Sequence, residues 1–429
     1  MFSLLGEGET PGFKQLREET MLDLKKGGLA ALAMAMLAGG HAVAADAPVK
    51  IGFAGDLTGA CAALTEDELN AVKIGVDELN AKGGILGRKV ELVIRDSQTK
   101  PDEGAKVARE LIVDEKIDVL TGVCSSAVML AESAVSGELK VPFYATIGST
   151  QRANIELYQP YFWQAQANAT MEAYAAAEYV AKKAEWKTIA TMGSDYEWGH
   201  TSVAAFSERL KKLRPDVTII DPIFPKVGET AMAPYITTAL NTKPDAVFAA
   251  LFGGSLGSLI KQGQGFGFFQ RTNLVTLMTV DTLQSMGPAM PASNVYGIAR
   301  APFFALEQTP EVKAFIEKYR AAYKEYPTDW SINGYDGLMF YAAAAEHAKS
   351  VAPDAIIKAI SEISYDGLRG KGLKVRAFDG QMNAPSYVGK ATKVPEYDFP
   401  ILTEIEKFPG EALMVSEDAI AAARKAAKK

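Results

Sequence analysis

From residue 49 onward, short apolar runs alternate with longer stretches whose apolar residues recur every three to four positions. Runs of the first kind, at 49–54, 90–96, 118–123 and 141–145, read as strands buried on both faces. Between them lie helical patterns: Leu69, Val72, Val76 and Leu79 share one face, and Val107, Leu111 and Ile112 another. The glycines at 83 and 84 end the first helix, since glycine takes the left-handed cap without penalty. After a further short strand at 162–165 the alternation starts afresh. Helices are expected at 171–183, 201–213, 231–240 and 255–262, and strands at 188–192, 217–220, 246–251, 273–279 and 295–298. Helices at 310–323, 332–348 and 355–363 follow, then a late hairpin over 374–390. An alanine-rich helix at 416–429 reads as a solvated terminus.

Strand–helix alternation of this kind predicts an α/β fold of two doubly wound, Rossmann-like lobes. In a sheet of order 2-1-3-4, strands one and three are neighbours whose helices leave in opposite directions, and a ligand crevice opens at their carboxyl ends. Strand three ends in Cys124-Ser125-Ser126, where hydroxyls and free backbone N–H groups meet the start of a helix. Ser125 is either a helix cap or a ligand contact at this point. The same order puts Cys61, in the loop after strand one, beside Cys124. These are the chain's two cysteines. A disulfide between them would close a loop of about 60 residues, worth on the order of 4 kcal/mol; two buried free thiols are the alternative.

Ahead of this pattern, Lys25-Lys26, an apolar stretch at 27–38 and Ala42-Val43-Ala44 have the order of a secretory signal peptide. Residues 1–44 are therefore expected to be an N-terminal extension and signal, with Met21 as an alternative start. Export to the periplasm follows, and an exported chain suits a disulfide. A net charge of -7 argues against nucleic-acid binding, which needs a basic face.

The chemistry of catalysis is thin. The three histidines have no cysteine or carboxylate at metal-ligand spacing, so no metal and no cofactor is expected. Ser125 is outside any G-x-S-x-G elbow. Gly263-Gln264-Gly265-Phe266-Gly267 follows a helix instead of a strand, so it lacks the setting of a dinucleotide loop. What remains is a set of polar and aromatic residues at strand ends. In the first lobe these are Ser125, Ser126, Gly148, Ser149 and Thr150. In the second they are 194–199 with Trp198, then Phe252 and Gly253, then Asp281. Hydroxyls and N–H groups suit a carboxylate, and the aromatic rings suit an apolar body.

Asn80, Gly83-Gly84-Ile85 and Gly87-Arg88, placed before strand two, resemble the hallmark of the periplasmic substrate-binding proteins of ABC importers, in particular the leucine/isoleucine/valine-binding family. The stretches 55–59 and 195–199 and the pair Tyr335-Asp336 fit it too, and the likeness runs from about 49 to 390. It implies a type I periplasmic binding protein that closes on its ligand about three crossings, near 164–168, 296–300 and 363–368. Lobe 1 would then be 45–165 and 299–364, lobe 2 166–298 and 365–410, and 411–429 a tail. The resemblance implies a ligand carboxylate on Ser125, Gly148 and Thr150, a cover from Trp198, and Asp281 near an amino group. It also implies a permease partner, a monomer and no enzymatic activity. Leu64 stands where the amino-acid binders carry tyrosine, Cys61 where they carry proline, and Trp198 is bulkier than their usual tyrosine. These departures keep two ligand classes open: a branched-chain type amino acid and an aromatic carboxylate. A ligand-sensing receptor subunit is the alternative of another class.

Overall fold

A computed structural model describes residues 47–427; the extension and signal segment expected at 1–44 lies outside them. Among the described residues no helix is long and apolar enough to cross a membrane.

The first sheet grows from β1 (Val49–Gly55), in which Val49, Ile51, Phe53 and Ala54 have no exposed surface. The chain continues through α1 (Ala62–Ala81), β2 (Val90–Asp96), α2 (Pro101–Val113), β3 (Val119–Thr121), α3 (Ser126–Leu139), β4 (Phe143–Ala145) and β5 (Phe162–Gln164). All these strands run parallel, in the order β2-β1-β3-β4-β5. The turn between α1 and β2 explains the Asn-x-x-Gly-Gly-Ile-x-Gly-Arg motif. The Asn80 amide accepts from Val90 N at 2.8 Å and donates to Val90 O at 3.0 Å. Ile85 and Arg88 exchange two backbone bonds of 2.9 Å, and a Cβ on Gly84 would stand 1.8 Å from Arg88 O, so only glycine fits.

The second sheet repeats the scheme. Its elements are α4 (Ala169–Ala181), β6 (Thr188–Gly193), α5 (Glu197–Leu213), β7 (Thr218–Ile219), α6 (Ala233–Asn241), β8 (Ala246–Ala250), α7 (Gly253–Gly265), α8 (Phe268–Arg271), β9 (Asn273–Leu277), α9 (Val280–Met286) and β10 (Val295–Ala299). The strand order is β7-β6-β8-β9-β10, again parallel. The chain then returns to the first lobe through α10 (Pro310–Tyr323), α11 (Asp329–Ala348) and α12 (Pro353–Glu362), and α11 packs along α1.

The end of the chain departs from expectation. After a small hairpin, β11 (Tyr365–Gly367) and β12 (Gly370–Leu373), come β13 (Val375–Arg376) and β14 (Gln381–Met382). These two extend the first sheet beside β5, although 365–410 was expected in the second lobe. Two features hold them there. Gln164 N donates to Gly380 O at 2.8 Å, and the fully buried Arg369 bonds Asp336 at 2.9 Å and Ala165 O at 2.6 Å. The third crossing therefore lies between Met382 and Ser386, beyond the expected 363–368. Then β15 (Ser386–Thr392) runs antiparallel to β10, and β16 (Ile401–Phe408) closes the second sheet.

The tail is also not merely solvated. α13 (Gly410–Leu413) packs on α4, and α14 (Glu417–Ala427) reaches back to the first lobe. There Arg424 donates to Asn154 O at 2.7 Å and to Phe378 O at 3.2 Å, over the ring of Tyr158.

Two carboxyls are sealed inside the first lobe. Glu68 accepts from the Thr146 hydroxyl, and burial pushes it up to about 8. Among the described residues Glu132 has no hydrogen-bond partner on either oxygen, and burial raises it well above the usual carboxylate range. The folded chain thus keeps a proton on Glu68 that the unfolded chain releases above about 4.5. Stability linked to that proton is present below 4.5 and is lost as pH rises toward 8. Between pH 5 and pH 8 the melting temperature of the wild type should fall more than that of Glu68→Gln, by about 2 °C or more. Equal falls in the two proteins, measured by calorimetry, would count against a protonated Glu68.

Candidate functional site

The site is built at the carboxyl ends of β1 and β3 and the facing ends of β6, β8 and β9. On the first-lobe side, Asp56 follows β1 and is wholly buried. Its carboxylate accepts from Cys124 N at 2.8 Å, Ser125 N at 2.6 Å and the Ser97 hydroxyl. Burial raises its pKa, and these donors oppose the rise. The amides at the start of α3, which the sequence offered to a ligand, are thus occupied by the protein's own carboxylate. Beside them Cys61 and Cys124 form a disulfide with a Cα–Cα distance of 6.1 Å, tying the loop after β1 to the end of β3.

Ser125 holds the N-cap position of α3, but its hydroxyl makes no capping bond, and it lies outside the cavity wall. Ser126 is in the wall. Its Oγ accepts from Ser149 N at 3.1 Å and Thr150 N at 3.2 Å, joining α3 to the turn after β4. Gly148 is drawn in through both of its backbone groups: its N donates to Val123 O at 3.0 Å and its O accepts from the Gln166 side-chain amide at 2.8 Å. Ser149 lines the cavity, and its Oγ accepts from Arg300 Nη2 at 3.0 Å.

Thr150 faces the other lobe. Its hydroxyl donates to Glu197 Oε1 at 2.7 Å, while Arg152 donates to Glu197 Oε2 at 2.7 Å. Glu197 is the first residue of α5, so these bonds latch the two lobes together at one rim. The next residue, Trp198, is 6% exposed and walls the cavity. Gly199 follows of necessity, because a Cβ there would meet Ser194 O at 2.0 Å. Trp198 stands edge-on to Phe252 at 5.8 Å, with Tyr196 beside both at 6.4 and 6.1 Å. Phe252 precedes α7, which opens with Gly253 at φ +52°. Burial pushes the Tyr196 phenol up, against the pull of the Arg300 charge.

Arg300, at the second crossing, is buried at the back of the cavity. Its Nε donates to Glu172 Oε1 at 2.6 Å, and its Nη2 to Glu172 Oε2 at 3.1 Å. Nη1 donates to Ile147 O at 2.7 Å and to the Gln166 side chain, and Nη2 also to Ser149. A guanidinium has five N–H donors, and each is engaged here. Its plane also lies 4.9 Å from the Trp330 ring. Asp329 takes Arg300 N, Ala301 N and Val280 N at 2.8, 2.7 and 3.0 Å, and burial pushes its carboxyl up to about 6.

Leu64, Cys124, Ser126, Ile147 and Ser149 therefore face Tyr196, Trp198, Phe252 and Leu277, with Arg300 and Trp330 behind. They surround a small cavity of about 20 Å³. The structure brings Leu64, Cys124, Ser126, Ser149, Trp198 and Phe252 together in this wall, and leaves Ser125, Gly148, Thr150, Gly253 and Asp281 outside it. Asp281 accepts from Trp330 Nε1 at 2.9 Å, and burial raises its pKa. It also raises that of Asp67, which burial carries to about 7. Tyr196, Ile147, Leu277, Arg300 and Trp330 escaped the sequence reading. Tyr196 sits in the quoted 195–199 stretch and Arg300 at the end of an expected strand, so position could have nominated those two. Nothing local marks Trp330.

Known proteins bear on this arrangement. The chain is 22% identical over 349 residues to the leucine-, isoleucine-, valine-, threonine- and alanine-binding protein of Pseudomonas aeruginosa, covering 79% of this chain and 88% of that protein. A periplasmic binding protein from Burkholderia mallei superposes with a TM-score of 0.79 at 21% identity, over 86% of this chain and 97% of that one. An ABC-transporter solute-binding protein from Rhodopseudomonas palustris BisB5, in complex with 3,4-dihydroxybenzoic acid, superposes with a TM-score of 0.76 at 24% identity, over 85% and 98% of the two chains. The periplasmic binding protein family profile matches residues 48–394, nearly all of the described two-lobed fold, and the chain belongs to that family.

Proposed function

We propose that the protein is the solute-binding component of an ABC importer, exported to the periplasm, and that it captures a small aromatic carboxylate between its lobes for delivery to the membrane permease. The observation that carries this reading is the polarity of the cavity wall. Ser126 and Ser149 each already accept hydrogen bonds on Oγ, so each hydroxyl proton is left to donate. Two such donors suit a carboxylate. No residue of the wall carries a carboxylate of its own, and the Arg300 charge is matched by Glu172. Rings of Tyr196, Trp198, Phe252 and Trp330 suit a flat apolar body.

A second reading is a branched-chain type amino acid. Two points favour it: the P. aeruginosa relative is named for such ligands, and Asp281 stands one hydrogen bond behind Trp330, where it could serve an ammonium.

In either case the ligand enters an open form, for the closed cavity is too tight to admit it. Binding then favours closure, because only the closed form contacts the ligand from both lobes. The latch of Thr150, Arg152 and Glu197 adds to the closed form alone.

A thermal-shift screen of benzoate-type acids against leucine, isoleucine and valine tests the ligand class. Aromatic acids should raise the melting temperature; a shift from the aliphatic amino acids only would favour the second reading. Glu197→Ala should weaken every ligand alike, by about 3- to 10-fold in calorimetric titration, since the pair is partly exposed. A loss confined to one ligand would show that Glu197 acts on the ligand and not on closure.

A further inference from the structure

Two indoles line the cleft cavity, and they differ in one respect. Trp330 Nε1 donates to Asp281 at 2.9 Å. Trp198 Nε1 is buried and has no hydrogen-bond partner among the described residues. An indole nitrogen is a donor only. A buried donor left unpaired is costly, and native structures seldom keep one without a reason. Trp198 is held by packing against Phe252 and Tyr196, which fixes its ring in the wall but gives its N–H nothing to bind.

Ser126 and Ser149 from the first lobe and Trp198 from the second line one small space, and of these the Trp198 N–H is without a partner among the described residues. The surfaces between them, Leu64, Ile147, Phe252 and Leu277, are apolar. A ligand that satisfies this wall needs an acceptor at each end and a flat apolar middle. We infer that Trp198 is a specificity-determining residue, and that the ligand is an aromatic carboxylate bearing an oxygen substituent on the ring, remote from the carboxylate, which accepts from Trp198 Nε1. This rests on the aromatic-carboxylate reading above and narrows it to ring-oxygenated acids.

Calorimetric titration with matched pairs of probes tests the inference. The pairs are 4-hydroxybenzoate with 4-methylbenzoate and 3-hydroxybenzoate with 3-methylbenzoate, in which a methyl replaces the hydroxyl at nearly equal size. In the wild type one hydroxy acid should bind at least about 5-fold more tightly than its methyl partner, as a site built to hydrogen-bond an oxygen rejects the analogue lacking it. Trp198→Phe, which keeps an aromatic ring and removes the donor, should erase that preference. Equal binding of both members of each pair by the wild type overturns the inference, and this comparison stands even if the variant fails to fold. A preference that survives in Trp198→Phe overturns it as well. Tight binding of unsubstituted benzoate with no gain from a hydroxyl defeats the inference while leaving the aromatic-carboxylate reading in place. Binding of leucine with none of the aromatic acids defeats both.

Discussion

The Arg300 guanidinium is the constraint on which the cleft depends. Its five N–H groups reach Glu172 on α4, the Ile147 carbonyl and Ser149 hydroxyl in the turn after β4, and Gln166 at the first crossing. One charged group therefore connects two crossings and both lobes at the floor of the cavity. A buried charge is tolerated only when paired and fully bonded, and removing one partner of such a pair costs about 3–5 kcal/mol. Because no donor is left over, Arg300 does not serve as a clamp for a ligand anion. It orients Ser149 instead, and Asp329 fixes its backbone from the start of α11.

The same logic recurs one layer up. Asp56 occupies the first amides of α3, and Ser126 occupies those of the turn after β4. Each apparent anion site of the first lobe is filled internally, and the Ser126 and Ser149 hydroxyls in the wall keep a proton to donate. Donors already set by their own partners need little reorganisation when a ligand arrives, so the first lobe is preorganised. The disulfide from Cys61 to Cys124 adds to this rigidity, for it joins the two loops that flank Asp56. The second lobe contributes shape, through Tyr196, Trp198 and Phe252 at the starts of α5 and α7. Glu197 joins the two lobes at the rim, and the tail joins them again, with α13 on α4 and Arg424 bonded to the first lobe.

Much of this architecture is legible in the residues themselves. The apolar strands at 49–54 and 246–251 are buried on both faces, and the helices between them follow their periodicity. Asn80 to Arg88 announces its turn because the bonds that shape it, Asn80 to Val90 and Ile85 to Arg88, span no more than ten residues. The pairing of Cys61 with Cys124 followed from strand order. The late chain was less legible: β13 and β14 are two-residue strands whose place is set by Arg369, Asp336 and Gln164, which are far away in sequence.

By itself, then, the sequence determined the α/β alternation, the strand ends that carry polar and aromatic residues, and the family likeness. These depend on local periodicity and short-range turns. Only the tertiary structure decided which of those polar groups remain available. Ser125 and Thr150 look equivalent to Ser126 and Ser149 along the chain, yet Ser125 lies outside the wall and Thr150 is turned to Glu197. A hydrogen bond is exclusive, and its partner here stands tens to hundreds of residues away. Composition and spacing name the donors and acceptors of this cleft; the fold alone determines which are already satisfied.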